Sequence, residues 1–567
     1  MRKIIECVPN YSEGRDRAVI DGIVAAIASV EGVRVLNVDP GEATNRTVVT
    51  FVGEPGPVVE AAFRGSRAAQ ELIDMRRHHG AHPRSGATDV LPLIPVSGIT
   101  LEECAALARA LAERMWRELG IPCYCYEAAA FKPERKNLAV CRAGEYEALP
   151  EKMADPDRKP DFGGAYDETA ARSGASNVGA RNFLIAVNFN LNTTSTRRAM
   201  AVAFDVREKG RKAREGGSLT GKLLKDAAGE QVWIPGTLKG CKAIGWYIDE
   251  YGIAQVSMNI TDIDATPLHV AFEEVCRAAA ARGLRVTGTE IVGLVPKHVL
   301  LEAGRFYLEK QQRSLGISEE EILRIAVKSM SLDDLKPFDP KEKVIEYLME
   351  DPAETAVRER LVRMRVKDFV AETASESAAP GGGSVSACMG ALGAALATMV
   401  ANLSAHKRGW DDRWKEFSDV AEQGQALVAE LTALVDEDTA AFNRIMDALS
   451  LPKGTEAEKA ERAAALEAAT LYAASVPLKT MEASLKALPL ALEMARKGNP
   501  ASASDAGVAA LAALAAVRGA HLNVRINAAG LTDKAPAAPL LSRAAGIEAE
   551  AAALQAEVLA EVDRHIG

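Results

Sequence analysis

The sequence predicts a multidomain chain: two related α/β subdomains, each an α+β sandwich, followed by an all-α helical bundle. Three observations predict it. At 567 residues the chain is too long for a single core. A strand–helix–strand–strand–helix order occurs twice before residue 283. After about Glu354 alanine dominates, aromatics thin out, and long apolar runs with helical period replace the strand signals.

Taken in order, Lys3 to Val8 reads as a strand and Asn10 to Gly14 as a turn. Ala18 to Val30 is an amphipathic helix, Val33 to Asp39 and Arg46 to Val52 a hairpin, and Val58 to Ile73 the next helix. The second copy runs through Phe183 to Phe189, Ser195 to Glu208, Lys242 to Asp249, Gln255 to Ile260 and Pro267 to Arg282, which sets Asp39 opposite Asp249. Two sheets side by side leave a cleft for a ligand. Gly210 to Gly240 interrupts the second copy with a Gly/Lys-rich insertion that reads as a surface hairpin or mobile loop. Helical runs follow at Val385 to Leu403, Trp414 to Val435, Glu456 to Ser475, Leu478 to Arg496, Ser504 to Asn527 and Leu541 to His565. The expected division is 1–179 and 180–325 for the subdomains, 326–361 for a linker and 362–567 for the bundle. Ala-rich helix faces and long buried helices suit a homo-oligomer formed through the bundle.

The totals exclude several classes. An apolar fraction of 48% and a charged fraction of 26% are those of a soluble globular protein, and no run approaches eighteen apolar residues, so no membrane partner is expected. The N-terminus lacks a signal peptide's apolar region. Eight scattered cysteines, of which only Cys123 and Cys125 lie close, read as reduced thiols in a cytoplasm rather than a zinc site. A net charge of −10 argues against nucleic acid. An anionic substrate would therefore be attracted by local basic clusters.

One such cluster is Met75 to Pro95, MRRHHGAHPRSGATDVLPLIP, which packs His78, His79 and His82 with Arg76, Arg77 and Arg84 into a loop broken by Gly80, Pro83 and Gly86. His82, fixed by the following Pro83 and flanked by Arg84, is the candidate general acid/base. A role-free surface loop is the alternative, as is a metal site using His78, His79, His82 and Asp89; Gly80 and Pro83 deny the helix that would align such ligands. Asn10, Asp39, Arg46, Asn188 and Asn190 fall at strand ends, where polar groups point into a cleft or simply form turns. Pro160 to Gly179 is a ligand-covering loop or a plain linker. In the helical part, APGGGSVS at Ala379 to Ser386 exposes helix N-terminal amides through Gly382 and Gly383, an anion site or a flexible turn. Asp436 and Asp438, two apart on an Ala/Leu-rich helix, point to different faces. One can face inward, where desolvation raises its pKa, or both can be solvated. Gly498 to Asp505 is a helix break with a ready N-cap, Ser504 or Asp505.

Together these pieces resemble the bifunctional formimidoyltransferase–cyclodeaminase family. The motifs are ECVPNYSEG, TNRTVVTFVG, HPRSGATDVLPLIP, RAGEYEALP, PDFG, GWYIDEYGIAQVSMN, EIVGLVP and IEYL in the first part. APGGGS, LVDEDTAAF, LPKGT, VPL, the GN before Pro500, SDAGVAA and NVRIN follow in the second, in the family's order. The resemblance implies transfer of a formimino group from formiminoglutamate to tetrahydrofolate, then closure to methenyltetrahydrofolate with release of ammonia. It places the transferase histidine on His82 and the cyclodeaminase aspartate on Asp438. Its folate loop begins after PDFG and falls on Gly163, Gly164 and Tyr166, although GAYDETAARSG differs from the family's aromatic and proline-containing stretch. Asn10, Asp39, Arg84, Asn188, Gly382, Gly383, Asn499 and Asp505 are the further expected substrate contacts, with Arg84 holding glutamate carboxylates. Tetrahydrofolate, with or without a polyglutamate tail, enters as a substrate and no metal is expected. Two alternatives keep the folds: a formyl-donor transferase with methenyltetrahydrofolate cyclohydrolase activity, and a non-catalytic folate-binding scaffold.

Overall fold

A computed structural model describes residues 3–42, 44–80, 83–217, 221–350 and 352–566. Contacts divide the chain into two compact units, Met1–Leu300 with Met330–Met349, and Leu301–Ser329 with Glu350–Gly567.

The first unit holds two sheets. In the first, Ile4–Cys7 and Asn10–Tyr11 lie between Arg46–Gly53 and Thr88–Ser97, with Val33–Gly41 on the outer side of Arg46–Gly53. Ser176–Ala180 and Cys123–Glu127 extend it in parallel. Alternation along the strands assigns the two faces. Ile5, Cys7, Phe51, Leu91 and Leu93 turn to the helices Arg17–Ala28, Pro55–Leu72 and Leu101–Leu119 and form the core. Glu6, Val8, Thr50, Val90, Pro92 and Ile94 turn the other way and line a cavity. The second sheet is antiparallel, in the order Cys241–Ile248, Ile253–Ile260, Ile185–Leu191, Val286–Val292. Helix Thr196–Val206 approaches it so closely that a Cβ on Gly245 would stand 2.1 Å from the Met200 amide nitrogen. The two-copy α/β reading holds in both sheets. The insertion forms a short ribbon, Arg211–Lys212 against Trp233–Ile234.

The stretch expected as a plain connector packs on the second sheet. Asn190 donates to Asp334 at 3.0 Å, Gln255 to Asn190 at 2.8 Å and Trp246 to Gln255 at 3.1 Å. Val295 and Lys343 are joined through the backbone, and Val344 and Ile345 are buried. The two short helices Pro340–Lys343 and Ile345–Met349 carry little pattern, so only the fold reveals that Val344 and Ile345 at their junction are buried.

The second unit is built on five long helices, Gly382–Ala405, Trp414–Ser450, Glu456–Lys497, Ala503–Gly530 and Ala538–Ile566. Gly382–Ala405 and the stretch Pro500–Gly530 are long and apolar enough to cross a bilayer, contrary to the expectation from apolar runs, because alanine, glycine and serine sustain a high mean hydropathy. In the most apolar eighteen-residue window of each, 56% of the residues are buried.

The two helices expected at Glu456 to Ser475 and Leu478 to Arg496 are one, with Pro477 and Pro489 inside it. Proline removes the N–H that would serve the carbonyl four residues earlier. For Pro477 that carbonyl is Ala473, and Asn527 Nδ2 donates to it at 2.7 Å. Asn527→Ala should therefore destabilise the protein by about 1–3 kcal/mol, the cost of stranding a buried acceptor. In urea denaturation the Pro477→Ala change should recover much of that loss only when Asn527 is already absent.

Candidate functional site

The cavity in the first unit has a volume of about 750 Å³, within the range of small-molecule sites. Its floor is apolar, with Val8, Val48, Val90, Pro92 and Ile94 side by side, and its walls carry Arg46, Arg142, Arg181 and Lys242. Strand register sets the polar groups in rows: Glu6 lies opposite Val52 and Ile94, while Asn10 lies opposite Val48 and Val90. Asn10 donates to the Val8 carbonyl at 2.9 Å, and its Oδ1 is buried without a partner. Asp39 stands exposed at the edge. The protein mass around it raises its carboxyl above the usual range, Glu290 adds to this, and Lys343 and Lys336 oppose it. Burial draws the Arg46 guanidinium down to about 10. Glu6 is the most buried acid of the cavity lining, 3% exposed. Its carboxyl is pushed up to about 7 by burial, with Arg181 opposing and Glu346 reinforcing.

The histidine loop is fastened at this cavity. His82 lies outside the described residues, but both flanks are placed. A Cβ on Gly80 would be 2.2 Å from the Thr44 carbonyl oxygen, and Pro83 lines the cavity. Asn45, at a φ of 48°, is the clamp: its Oδ1 accepts from Gly14 and its Nδ2 donates to the His79 carbonyl, both at 3.0 Å. The Asn45 carbonyl accepts from His78 Nε2 at 2.8 Å, which leaves Nδ1 to accept from Arg84. Burial lowers the His78 pKa, and both ring nitrogens are engaged within the loop's own framework. His79 is exposed.

Several expected contacts are placed elsewhere, and these are corrections. Arg84 is buried and fully engaged, donating to Glu147 at 2.6 and 2.8 Å and to Glu145 at 3.1 Å, so it offers no open guanidinium to a substrate carboxylate. Asn188 donates to Glu290 at 3.0 Å and does not line the cavity. Gly163 and Gly164 rest on Pro160 and the Trp116 ring, and neither they nor the exposed Tyr166 line it. The partners of Arg84 and Asn188 lie far away in sequence, so no local signal announced them.

In the second unit, Asp438 meets the N-terminus of Gly382–Ala405. That helix has no side-chain cap of its own at Gly381. Instead Asp438 Oδ2 accepts from the Ser384 amide at 2.8 Å and its hydroxyl at 3.1 Å. Its Oδ1 has no hydrogen-bond partner among the described residues, and a Cβ on Gly383 would stand 2.0 Å from it. Burial raises the Asp438 carboxyl above the usual range, and the two Ser384 bonds oppose this. Gly382 faces the Asn523 amide, 3.3 Å from where its Cβ would be. Asp436 points elsewhere and caps the Leu361 and Val362 amides at 2.8 and 3.1 Å. Asn523 was missed by sequence reasoning, although it stands in NVRIN one turn before Asn527.

Asn499 and Asp505 are not at this site. Asn499 donates through its amide to Ser404, twenty residues along the helix from Ser384, which is about 30 Å at 1.5 Å per residue. Asp505 is in the first turn of Ala503–Gly530, remote from Asn523 near that helix's other end.

Comparison with known proteins follows this division. The family model described as Formiminotransferase domain, N-terminal subdomain, matches residues 4–181, and that described as Formiminotransferase domain matches residues 186–350. The one described as Formiminotransferase-cyclodeaminase matches residues 365–546. The formimidoyltransferase-cyclodeaminase of Sus scrofa is 44% identical over 560 residues, covering 99% of this chain and 98% of the relative. The glutamate formimidoyltransferase of Streptococcus pyogenes is 40% identical over 309 residues, 54% of this chain and 94% of the relative. The methenyltetrahydrofolate cyclohydrolase of Methylorubrum extorquens is 40% identical over 193 residues, 34% of this chain and 93% of the relative. A two-unit chain with one site in each unit, matched end to end, is thereby placed: it belongs to the formimidoyltransferase–cyclodeaminase family.

Two outcomes follow from the geometry. Gly383→Ala should push the Asp438 carboxylate off its seat and cut cyclodeaminase turnover by about 10²-fold or more, while transferase turnover is kept. Because Glu6 is raised from 4.5 to about 7, the native state carries no penalty below pH 4.5 and the full penalty above about pH 7. Glu6→Gln should thus gain stability over the parent as pH rises through that window, by up to about 3 kcal/mol, measured by denaturation at pH 5 and pH 8.

Proposed function

We propose that the two sites perform successive steps on one folate. In the first, N5 of tetrahydrofolate attacks the formimino carbon of formiminoglutamate and gives a tetrahedral intermediate. The proton lost from N5 must reach the departing glutamate nitrogen. His82, whose neighbour Pro83 lines the cavity, can take it and hand it on. The open acceptor of Asn10 and the carboxyl of Asp39 face the same space, and the cations for glutamate carboxylates are Arg46 and Lys242 rather than Arg84, held by Glu145 and Glu147, or Arg142, held by Asp89. In the second step N10 attacks the carbon of the protonated formimino group, and the proton it loses completes the departing ammonia as the methenyl cation forms. The free oxygen of Asp438, backed by a helix N-terminus, can carry that proton. Positioned acid/base catalysis contributes about 10²–10⁴-fold in each case.

The observation that carries this reading is Asp438, with one oxygen locked and the other open beside Gly383. It is supported by end-to-end similarity to relatives named for both activities. A second reading has one specific support, the cyclohydrolase relative over the helical part. Formiminoglutamate and formylglutamate compared side by side separate the two. Formiminoglutamate with tetrahydrofolate should give the methenyl product, followed by its near-ultraviolet absorbance, and ammonia. His82→Ala should abolish transfer yet still close supplied formiminotetrahydrofolate, whereas Asp438→Asn should transfer and stop at that intermediate. Full activity in both variants would reject these roles.

A further inference from the structure

Glu6 has no part in the proton transfers above, and its surroundings are costly. Its carboxyl is 3% exposed, opens into the cavity, and has no hydrogen-bond partner among the described residues. The charged groups facing it are Arg181 and Glu346. Its near neighbours in the cavity wall are apolar, Val8, Pro92, Ile94 and Ile345. A buried carboxyl without donors costs free energy unless a ligand supplies them.

Position narrows what that ligand presents. Glu6 is opposite Val52 and Asn10 is opposite Val48 on the same strand, so the two are about 13 Å apart along the sheet. Arg46, beside Asn10's row, and Pro83, next to the histidine loop, mark one end of the cavity, and Glu6 marks the other. The floor between them, Val8, Val48, Val90 and Pro92, suits a flat ring. A carboxylate accepts two parallel donors from a planar N–C–N fork, as it does from arginine. Both substrates of the reading above contain such a fork, the 2-amino and N3–H edge of the pterin and the formimino group. The formimino group must meet the histidine loop, at the far end.

We propose that Glu6 binds the 2-amino and N3–H edge of the tetrahydrofolate pterin. This orients the ring along the apolar floor with N5 toward the histidine loop and makes Glu6 the residue that recognises a pterin over other flat rings. The inference rests on the transferase reading of this cavity.

The test uses the full chain and its Glu6→Gln variant. Kinetics are run with tetrahydrofolate and formiminoglutamate varied in turn. Binding of 5-formyltetrahydrofolate and of its 2-desamino-2-methyl analogue is measured without turnover. The variant should raise the folate KM and Kd by about 10- to 100-fold, the worth of hydrogen bonds to a charged group. Its kcat and its KM for formiminoglutamate should stay within about threefold, and the parent's preference for the 2-amino compound over the desamino analogue should vanish. A variant that keeps this preference, that loses kcat alone, or that raises only the formiminoglutamate KM overturns the assignment. If the parent neither binds the folate nor turns over, the transferase reading falls and takes this inference with it. If the parent binds and the variant binds equally, only the role of Glu6 falls.

Discussion

The carboxylate of Asp438 at the start of Gly382–Ala405 is the contact on which the chemistry proposed for the second unit depends. A helix N-terminus presents N–H groups with no partner inside the helix. Most helices meet this need from the preceding residue, but Gly381 has no side chain to do so. Asp438 supplies the acceptor from another helix and thereby fixes its own orientation. The arrangement requires Gly383 to lack a Cβ, since one would overlap Oδ1. A single acid is thus both the cap and the group left with a free oxygen, and burial keeps its proton affinity above that of an ordinary aspartate.

The first unit solves the same problem of holding a reactive loop without a helix. Asn45 ties Gly14, His78 and His79 together, and Arg84 locks against Glu145 and Glu147. The residues on either side of His82 are therefore set by hydrogen bonds from side chains distant in sequence. In the same unit the floor of the cavity leaves polar atoms open: Asn10 Oδ1 has no partner, and Glu6 has none among the described residues. Saturation of the loop and openness of the floor are what distinguish a scaffold from a binding surface.

Much of this was legible in the sequence. The strands at Lys3 to Val8 and Arg46 to Val52 were readable from composition, and the spacing of Asp436 and Asp438 required one to turn away from the other. Failures share one cause, a partner distant along the chain. Pro477 reads as a break because its rescue by Asn527 is fifty residues away, and Arg84 reads as a free cation because Glu145 and Glu147 are some sixty residues away. Asn499 and Asp505 follow a helix break that looks like a site, yet helix length alone puts them far from Asp438. Nothing local marks Glu6, in a short strand, before a cavity is found above it.

The central claim is that two independent sites in one chain, each with its own proton-carrying group, act in sequence. Mixing the His82→Ala and Asp438→Asn proteins, each inactive in the overall reaction, measures this most directly. With formiminoglutamate and tetrahydrofolate, the mixture should regain methenyltetrahydrofolate formation at a rate that rises with either component, because the intermediate released by one protein is closed by the other. A mixture as silent as its components, with each variant folded, would mean a single shared site and would contradict the account.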